Sequence, residues 1–322
     1  MASFVTHFFF FASLWPHQRI IWKILLQSQA MTNATLRPSR LAQCLLAASE
    51  RGDLARVRRL LGKGADPLAL DSSALCRAAS EGHLECVKLL IPLSNPRDNE
   101  SYALQFAALN GHVECVELLL AVSQPKDSGS LALAWAAENG RVECVKMLIP
   151  LSEPLSHGSY PLQKAAQNGH AECVKLLIPF SDPKSDDSLA LCWAARYGHA
   201  ECVKLLIPVS DPKADNSDAL WNASANGHVE CAHHLIPVSE SLLIIPGPFH
   251  VAIEEGHARI VALMLVHEPA LIELVDPAHL IAEARCSGRQ ELGDLFQAIV
   301  EARLISECSA VPDTVSLPRA RL

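Results

Sequence analysis

Gly169-His170-Ala171-Glu172-Cys173-Val174-Lys175-Leu176-Leu177-Ile178-Pro179 is one copy of a phrase that recurs along most of the chain. The glycine that heads it returns at Gly82, Gly111, Gly140, Gly169, Gly198, Gly227 and Gly256, each 29 residues after the last. A fixed period of this length marks a stack of small supersecondary units, each burying its apolar face only against its neighbours. The chain therefore reads as a solenoid, and its function is expected to lie on its surface.

Inside the phrase nearly every position is apolar, apart from an acid and a base that share one edge, as Glu85 and Lys88 do in an earlier copy. A helix apolar on most sides is sandwiched between others. A proline closes the phrase at Pro92, Pro150, Pro179, Pro208 and Pro237, where the missing N–H and the ring clash stop a helix. Before the glycine, Leu75, Ala78 and Ala79 fall at i, i+3 and i+4, one face of a first helix whose alanines let a neighbour approach closely. After the proline comes a polar loop, seen best at Pro179 to Lys184 and Pro208 to Lys213. A serine then recurs at Ser72, Ser101, Ser130, Ser159, Ser188 and Ser217, in the place of an N-cap for the next first helix. Each unit thus reads helix, tight turn, helix, polar loop, and the fold class is all-α.

Composition agrees with small layers. Of the 322 residues 50% are apolar but only 5% aromatic, so the core is built from Ala, Leu, Val, Ile and Cys. The net charge of −8, with both signs interspersed, lacks the basic stripe that phosphate contacts need, so a nucleic-acid surface is not expected. Six of the eleven cysteines, Cys86, Cys115, Cys144, Cys173, Cys202 and Cys231, occupy one repeat position. Packed helices lie about 8–10 Å apart, whereas a disulfide wants its Cα atoms within about 7 Å. These thiols read as a ladder of small buried apolar groups, which implies a reducing compartment.

Residues 1–40 do not share the repeat. The run from Phe8 to Trp15 is apolar but too short to span a bilayer, and no Lys or Arg precedes it. A cleaved signal and a misassigned start upstream of Met31 both remain open. The repeats extend over 41–303, about nine helix pairs counted from their turn glycines, Gly52 to Gly288, and 304–322 read as a flexible tail.

The turn Ala107-Ala108-Leu109-Asn110-Gly111-His112, followed by a second helix of the Val-Lys-Leu-Leu kind, resembles the ankyrin repeat, and Gly64-Ala65-Asp66-Pro67 looks like that family's finger. Ankyrin units usually run about 33 residues and open their first helix with Thr-Pro-Leu-His. Here the period is 29, and the tetrapeptide becomes Tyr102-Ala103-Leu104-Gln105 or Leu189-Ala190-Leu191-Cys192. The resemblance implies β-hairpin fingers, so these are expected to be shortened to plain turns or absent, the first unit keeping a fuller one. It also places the residues just before each turn glycine on the concave, partner-gripping face. The nominated contacts are Arg196 and Tyr197 as anchors, with Leu109, Trp135, Glu138 and Trp193 around them. The column Arg77, Phe106, Trp135, Lys164, Trp193, Asn222 serves either packing between units or recognition. Leu242 to Ile245, an apolar run before Pro246-Gly247-Pro248, reads as a seal to the C-terminal units or as an exposed patch.

His-x-Glu and His with Cys at i+3 recur at His83, His112, His170, His199 and His228. Each unit offers two such groups, while a structural zinc needs four converging at about 2.0–2.3 Å. The histidines are read instead as ordering the turn through backbone hydrogen bonds, with Arg141 standing in at one copy. No metal, cofactor or catalytic residue is assigned, since no hydrolase elbow, metalloprotease helix or phosphate-binding loop is present. The expected function is a non-catalytic protein–protein interaction scaffold, monomeric and cytoplasmic, without membrane or nucleic-acid partners. A translocated effector targeting a host protein is the alternative, and an enzyme a more distant one.

Overall fold

The computed structural model describes residues 39–240 and 247–309, with side chains described as far as Arg303. Most of the 1–40 leader, the Leu242–Ile245 run and most of the 304–322 tail lie outside the described residues. The described chain forms eighteen α-helices in nine consecutive pairs, and no strand. They are α1 (Arg40–Glu50), α2 (Leu54–Gly62), α3 (Ala69–Ser80), α4 (Leu84–Leu90), α5 (Asp98–Asn110), α6 (Val113–Leu120), α7 (Asp127–Glu138), α8 (Val142–Leu148) and α9 (Ser156–Gln167). There follow α10 (Ala171–Leu177), α11 (Ser185–Arg196), α12 (Ala200–Leu206), α13 (Ala214–Ala225), α14 (Val229–Leu235), α15 (Pro248–Glu255), α16 (Ala258–His267), α17 (Pro277–Cys286) and α18 (Gln290–Ser309).

Odd-numbered helices stack on one another from α1 to α15, and even-numbered helices stack from α2 to α18, so the core runs as one seam between two rows. The alanine pairs Ala78/Ala79, Ala107/Ala108, Ala136/Ala137, Ala165/Ala166 and Ala194/Ala195 are fully buried, as are Leu75, Leu104, Leu133, Leu162 and Leu191. The thiols of Cys86 to Cys231 also lie in the seam, all unpaired. Against the expectation from sequence, the closing prolines do not directly follow the last α-helical residue. The α-helix ends one residue sooner, and Pro92, Pro150, Pro179 and Pro237 sit inside a short 3-10 turn, as in Ile91–Leu93. A tighter turn tolerates a residue without N–H at its first positions.

The recurring serines do not cap the helices that follow them. Each ends a run of three residues in the left-handed region, φ between +45° and +66°, such as Asn99-Glu100-Ser101 or Asp186-Asp187-Ser188. This left-handed turn stands where a finger hairpin would be. It costs roughly 1–2 kcal/mol per residue with a side chain, less where Gly, Asn or Asp takes the position. The cost is offset by what the turn does with its serine. Buried to within 2% of full, the hydroxyl reaches into the following unit and accepts the loop N–H there. The bonds run from Asn95, Gln124, Glu153, Asp182, Asp211 and Glu240 to Ser72, Ser101, Ser130, Ser159, Ser188 and Ser217, at 2.8 to 3.1 Å. Two of these serines also donate to a carboxylate of that next unit, Ser72 to Asp98 and Ser101 to Asp127, both at 2.6 Å. The first unit is no exception: Gly64-Ala65-Asp66-Pro67 makes no hairpin and leads into the same turn at Leu70-Asp71-Ser72.

Candidate functional site

The main chain of the pre-turn column is tied down in the first seven units by a residue 32 or 33 positions later. His83, His112, His170, His199, His228 and His257 point Nε2 at the carbonyls of Glu50, Ser80, Glu138, Gln167, Arg196 and Ala225, at 2.9 to 3.3 Å. A carbonyl can only accept, so Nε2 must carry the hydrogen. Arg141, in the histidine position of its unit, donates Nε to Leu109 O at 3.2 Å and keeps the strap. Each ring covers the preceding turn glycine: a Cβ on Gly169, at φ +75°, would stand 2.5 Å from His199 Nδ1. Burial, with His170 and His228 to either side, holds the His199 pKa below its usual 6.5 against the opposing pull of its carbonyl bond. The histidines thus order the neighbouring turn, and among the described residues no group of three or more His, Cys, Asp or Glu is placed to hold a metal.

With the backbone fixed, the side chains of the column are free to differ. Asn110, Asn139, Asn168 and Asn226 close their helices by donating Nδ2 to the carbonyl four residues back, at 3.1, 2.9, 3.0 and 2.8 Å. Tyr197 occupies that position in the fifth regular unit and cannot make the bond. Its ring instead stacks on Trp193, centroids 5.8 Å apart and planes 17° from parallel, while the Arg196 guanidinium carbon lies 5.5 Å from the ring centroid of the same Trp193. Arg196 and Tyr197 are both exposed, and Trp193 is half-buried beneath them. A second aromatic group lies three units earlier, where Phe106 meets Trp135 at 5.6 Å and Tyr102 edge-on at 5.6 Å.

The nominated residues therefore divide. Arg196, Tyr197 and Trp193 form one cluster, and Trp135 belongs to the other. Leu109 is half-buried, its carbonyl taken by Arg141. Glu138 forms an ion pair with Lys164 of the next unit at 3.7 Å, and that lysine also stands 5.3 Å over the Tyr160 ring. Tyr102 and Tyr160 were missed as face residues, although they precede Phe106 and Lys164 by four, one helical turn on the same face. Ser80, two residues before its turn glycine in the column expected on the concave face, is buried instead, and Asn110 Nδ2 bonds to both its carbonyl and its hydroxyl. Burial pushes the ladder thiols Cys115, Cys144, Cys173 and Cys231 up to about 11 and Cys202 to about 12, which disfavours the reactive thiolate there.

The family described as ankyrin repeats (3 copies) matches residues 44–128, 75–156, 133–216, 162–242 and 191–276 in overlapping sets, well over half of the chain. The chain belongs to the ankyrin-repeat family. Curated proteins include no significant match. Among solved structures, the human ASB11 ankyrin repeat domain is similar, with a TM-score of 0.53 and 23% identity, over 60% of this chain and 97% of that one. At that identity the likeness concerns the fold. Within the ankyrin fold this chain is distinguished by its 29-residue unit, whose left-handed turn and reaching serine take the place of a hairpin finger.

Proposed function

We propose that this ankyrin-repeat array, residues 41–303, is a non-catalytic scaffold that docks a protein partner on the face of its first helices. Ankyrin repeats are protein–protein interaction modules, and no helix among the described residues is long and apolar enough to cross a membrane. The observation that carries the reading is the Trp193, Arg196 and Tyr197 cluster. At Tyr197 the array gives up a helix-closing asparagine bond found in four sister units and exposes an aromatic ring beside a guanidinium instead. Tyr, Trp and Arg dominate interface hot spots because they bury much area per lost rotamer and keep a polar group. The strap on the Arg196 carbonyl fixes the backbone beneath them, which lowers the ordering cost of docking.

Trp135 and Leu109 are flanking contacts in this proposal, and Glu138, already paired with Lys164, sets local charge rather than anchoring. The array acts as a monomer in the cytoplasm and has no nucleic-acid partner. Affinity purification with the full chain, beside the Arg196→Ala/Tyr197→Ala double variant, tests the reading. A protein captured by the first and lost by the second supports it. Equal capture by both, with unchanged helical spectra, moves the site elsewhere.

A further inference from the structure

We infer that Arg196 is the receptor for a carboxylate of the partner, so that the docked segment carries an Asp or Glu next to an apolar residue seated on Tyr197 and Trp193. The inference rests on the docking reading above and adds the chemistry of what docks. It comes from comparing three cations of the first-helix face, Arg77, Lys164 and Arg196. Arg77 is paired across units with Glu50 at 3.3 Å, and Lys164 with Glu138 at 3.7 Å, each acid lying in the pre-turn column of the preceding unit. Trp193 fills the repeat position of Arg77 and Lys164, with Arg196 three residues after it, and where their acids stand the preceding unit holds Gln167, which is neutral and whose amide oxygen is taken by Lys164 at 3.1 Å. On the other side the pre-turn residue is Ala225. Of the two carboxylates on the next first helix, Asp218 is engaged with Asn222 Nδ2 at 2.9 Å and Asp215 stands in the left-handed turn at its start. Among the described residues Arg196 forms no ion pair.

The guanidinium is nevertheless held in place. Its Cζ lies 5.5 Å from the Trp193 ring centroid, and a cation–π contact of this kind limits where the guanidinium sits without using up its N–H donors. A planar guanidinium fork matches a carboxylate through two parallel bonds. The exposed Tyr197 ring beside it offers apolar area next to the charge, so one short segment can satisfy both.

The test uses a genetically encoded random-peptide display library selected on the full chain and, in parallel, on the Arg196→Glu variant. Peptides enriched on the natural chain should carry Asp or Glu beside an apolar residue, should lose at least tenfold in affinity on Arg196→Glu, and should lose affinity on Tyr197→Ala. Peptides enriched on Arg196→Glu should carry Lys or Arg in place of the acid. Both variants should keep the helical spectrum of the natural chain. Selected peptides that depend on Tyr197 but carry no acid and are indifferent to Arg196→Glu would overturn the carboxylate and leave the docking face standing. No enrichment on either protein would overturn the docking reading and this inference with it.

Discussion

Ala165-Ala166 occupies a rung that reads Ala-Ala in five consecutive units, whereas the next two residues, Gln167-Asn168, become Arg196-Tyr197 one unit later. The two pairs are neighbours on one helix and differ in what constrains them. The alanines are fully buried against the adjoining first helices, so any added volume meets packed atoms. The pre-turn pair is constrained in its main chain by the strap from the next unit, while its partly exposed side chains are held only by local bonds such as that of Asn168 to the Lys164 carbonyl. A repeat protein therefore serves as its own control: what recurs is what stacking requires, and what departs at the expense of a recurring bond is where another demand has intervened.

The rungs should be costly to disturb, in a graded order. Gly169→Ala combines a left-handed backbone with a Cβ driven into the His199 ring, and about 3 kcal/mol should be lost in urea unfolding, from a conformational cost of about 1–2 and an overpacking cost of similar size. A loss below about 1 kcal/mol would mean that the histidine ring moves aside freely. Ala166→Leu, on the rung itself, should cost about 2 kcal/mol. Ser101→Ala leaves the Gln124 N–H and Asp127 without their partner, and a loss of about 1–2 kcal/mol is expected from stranding a part-buried donor. If that serine were a helix cap, the loss would appear as fraying of α5 alone; as a tie between units it should lower the midpoint of the whole array.

The strap itself is a smaller term. His199→Ala should cost about 1 kcal/mol, one hydrogen bond, while His199→Arg should recover most of it because Arg141 already makes the equivalent bond. Because burial depresses the His199 pKa, the folded state favours the neutral ring. Its contribution is complete above 6.5 and is lost as pH falls from there through the lower folded value, so stability should decline on acidification below 6.5. His199→Arg should show a shallower decline, and parallel pH curves for the two proteins would remove the histidine from the account.

Much of the stacking side was legible because period, apolar spacing and closing prolines all repeat in phase. The left-handed turn was not. Asn99, Gly129, Gly158, Asp187 and Asn216 tolerate that conformation, but the same residues also spell an ordinary polar loop, and a serine before a helix spells a cap. The acceptor of each histidine lies 32 or 33 residues earlier, outside any local pattern. On the candidate face the column itself could be read by aligning the copies. The pairing within it could not, because whether Arg77, Lys164 or Arg196 has a partner depends on which residue the preceding unit presents. Ser80 shows the same limit, since Asn110 of the next unit covers it.

The contrast is tested most directly by returning the departing pair to the residues of the preceding unit. The Arg196→Gln/Tyr197→Asn double variant restores a side chain able to donate to the Trp193 carbonyl and removes the proposed anchors. Its unfolding free energy should equal that of the natural chain or exceed it by up to about 0.5 kcal/mol, the worth of a modest hydrogen bond. Its affinity for a partner captured by the natural chain should fall at least about tenfold, or 1.4 kcal/mol. A loss of stability above about 1 kcal/mol, or retained affinity, would contradict the claim that this pair serves recognition rather than the fold.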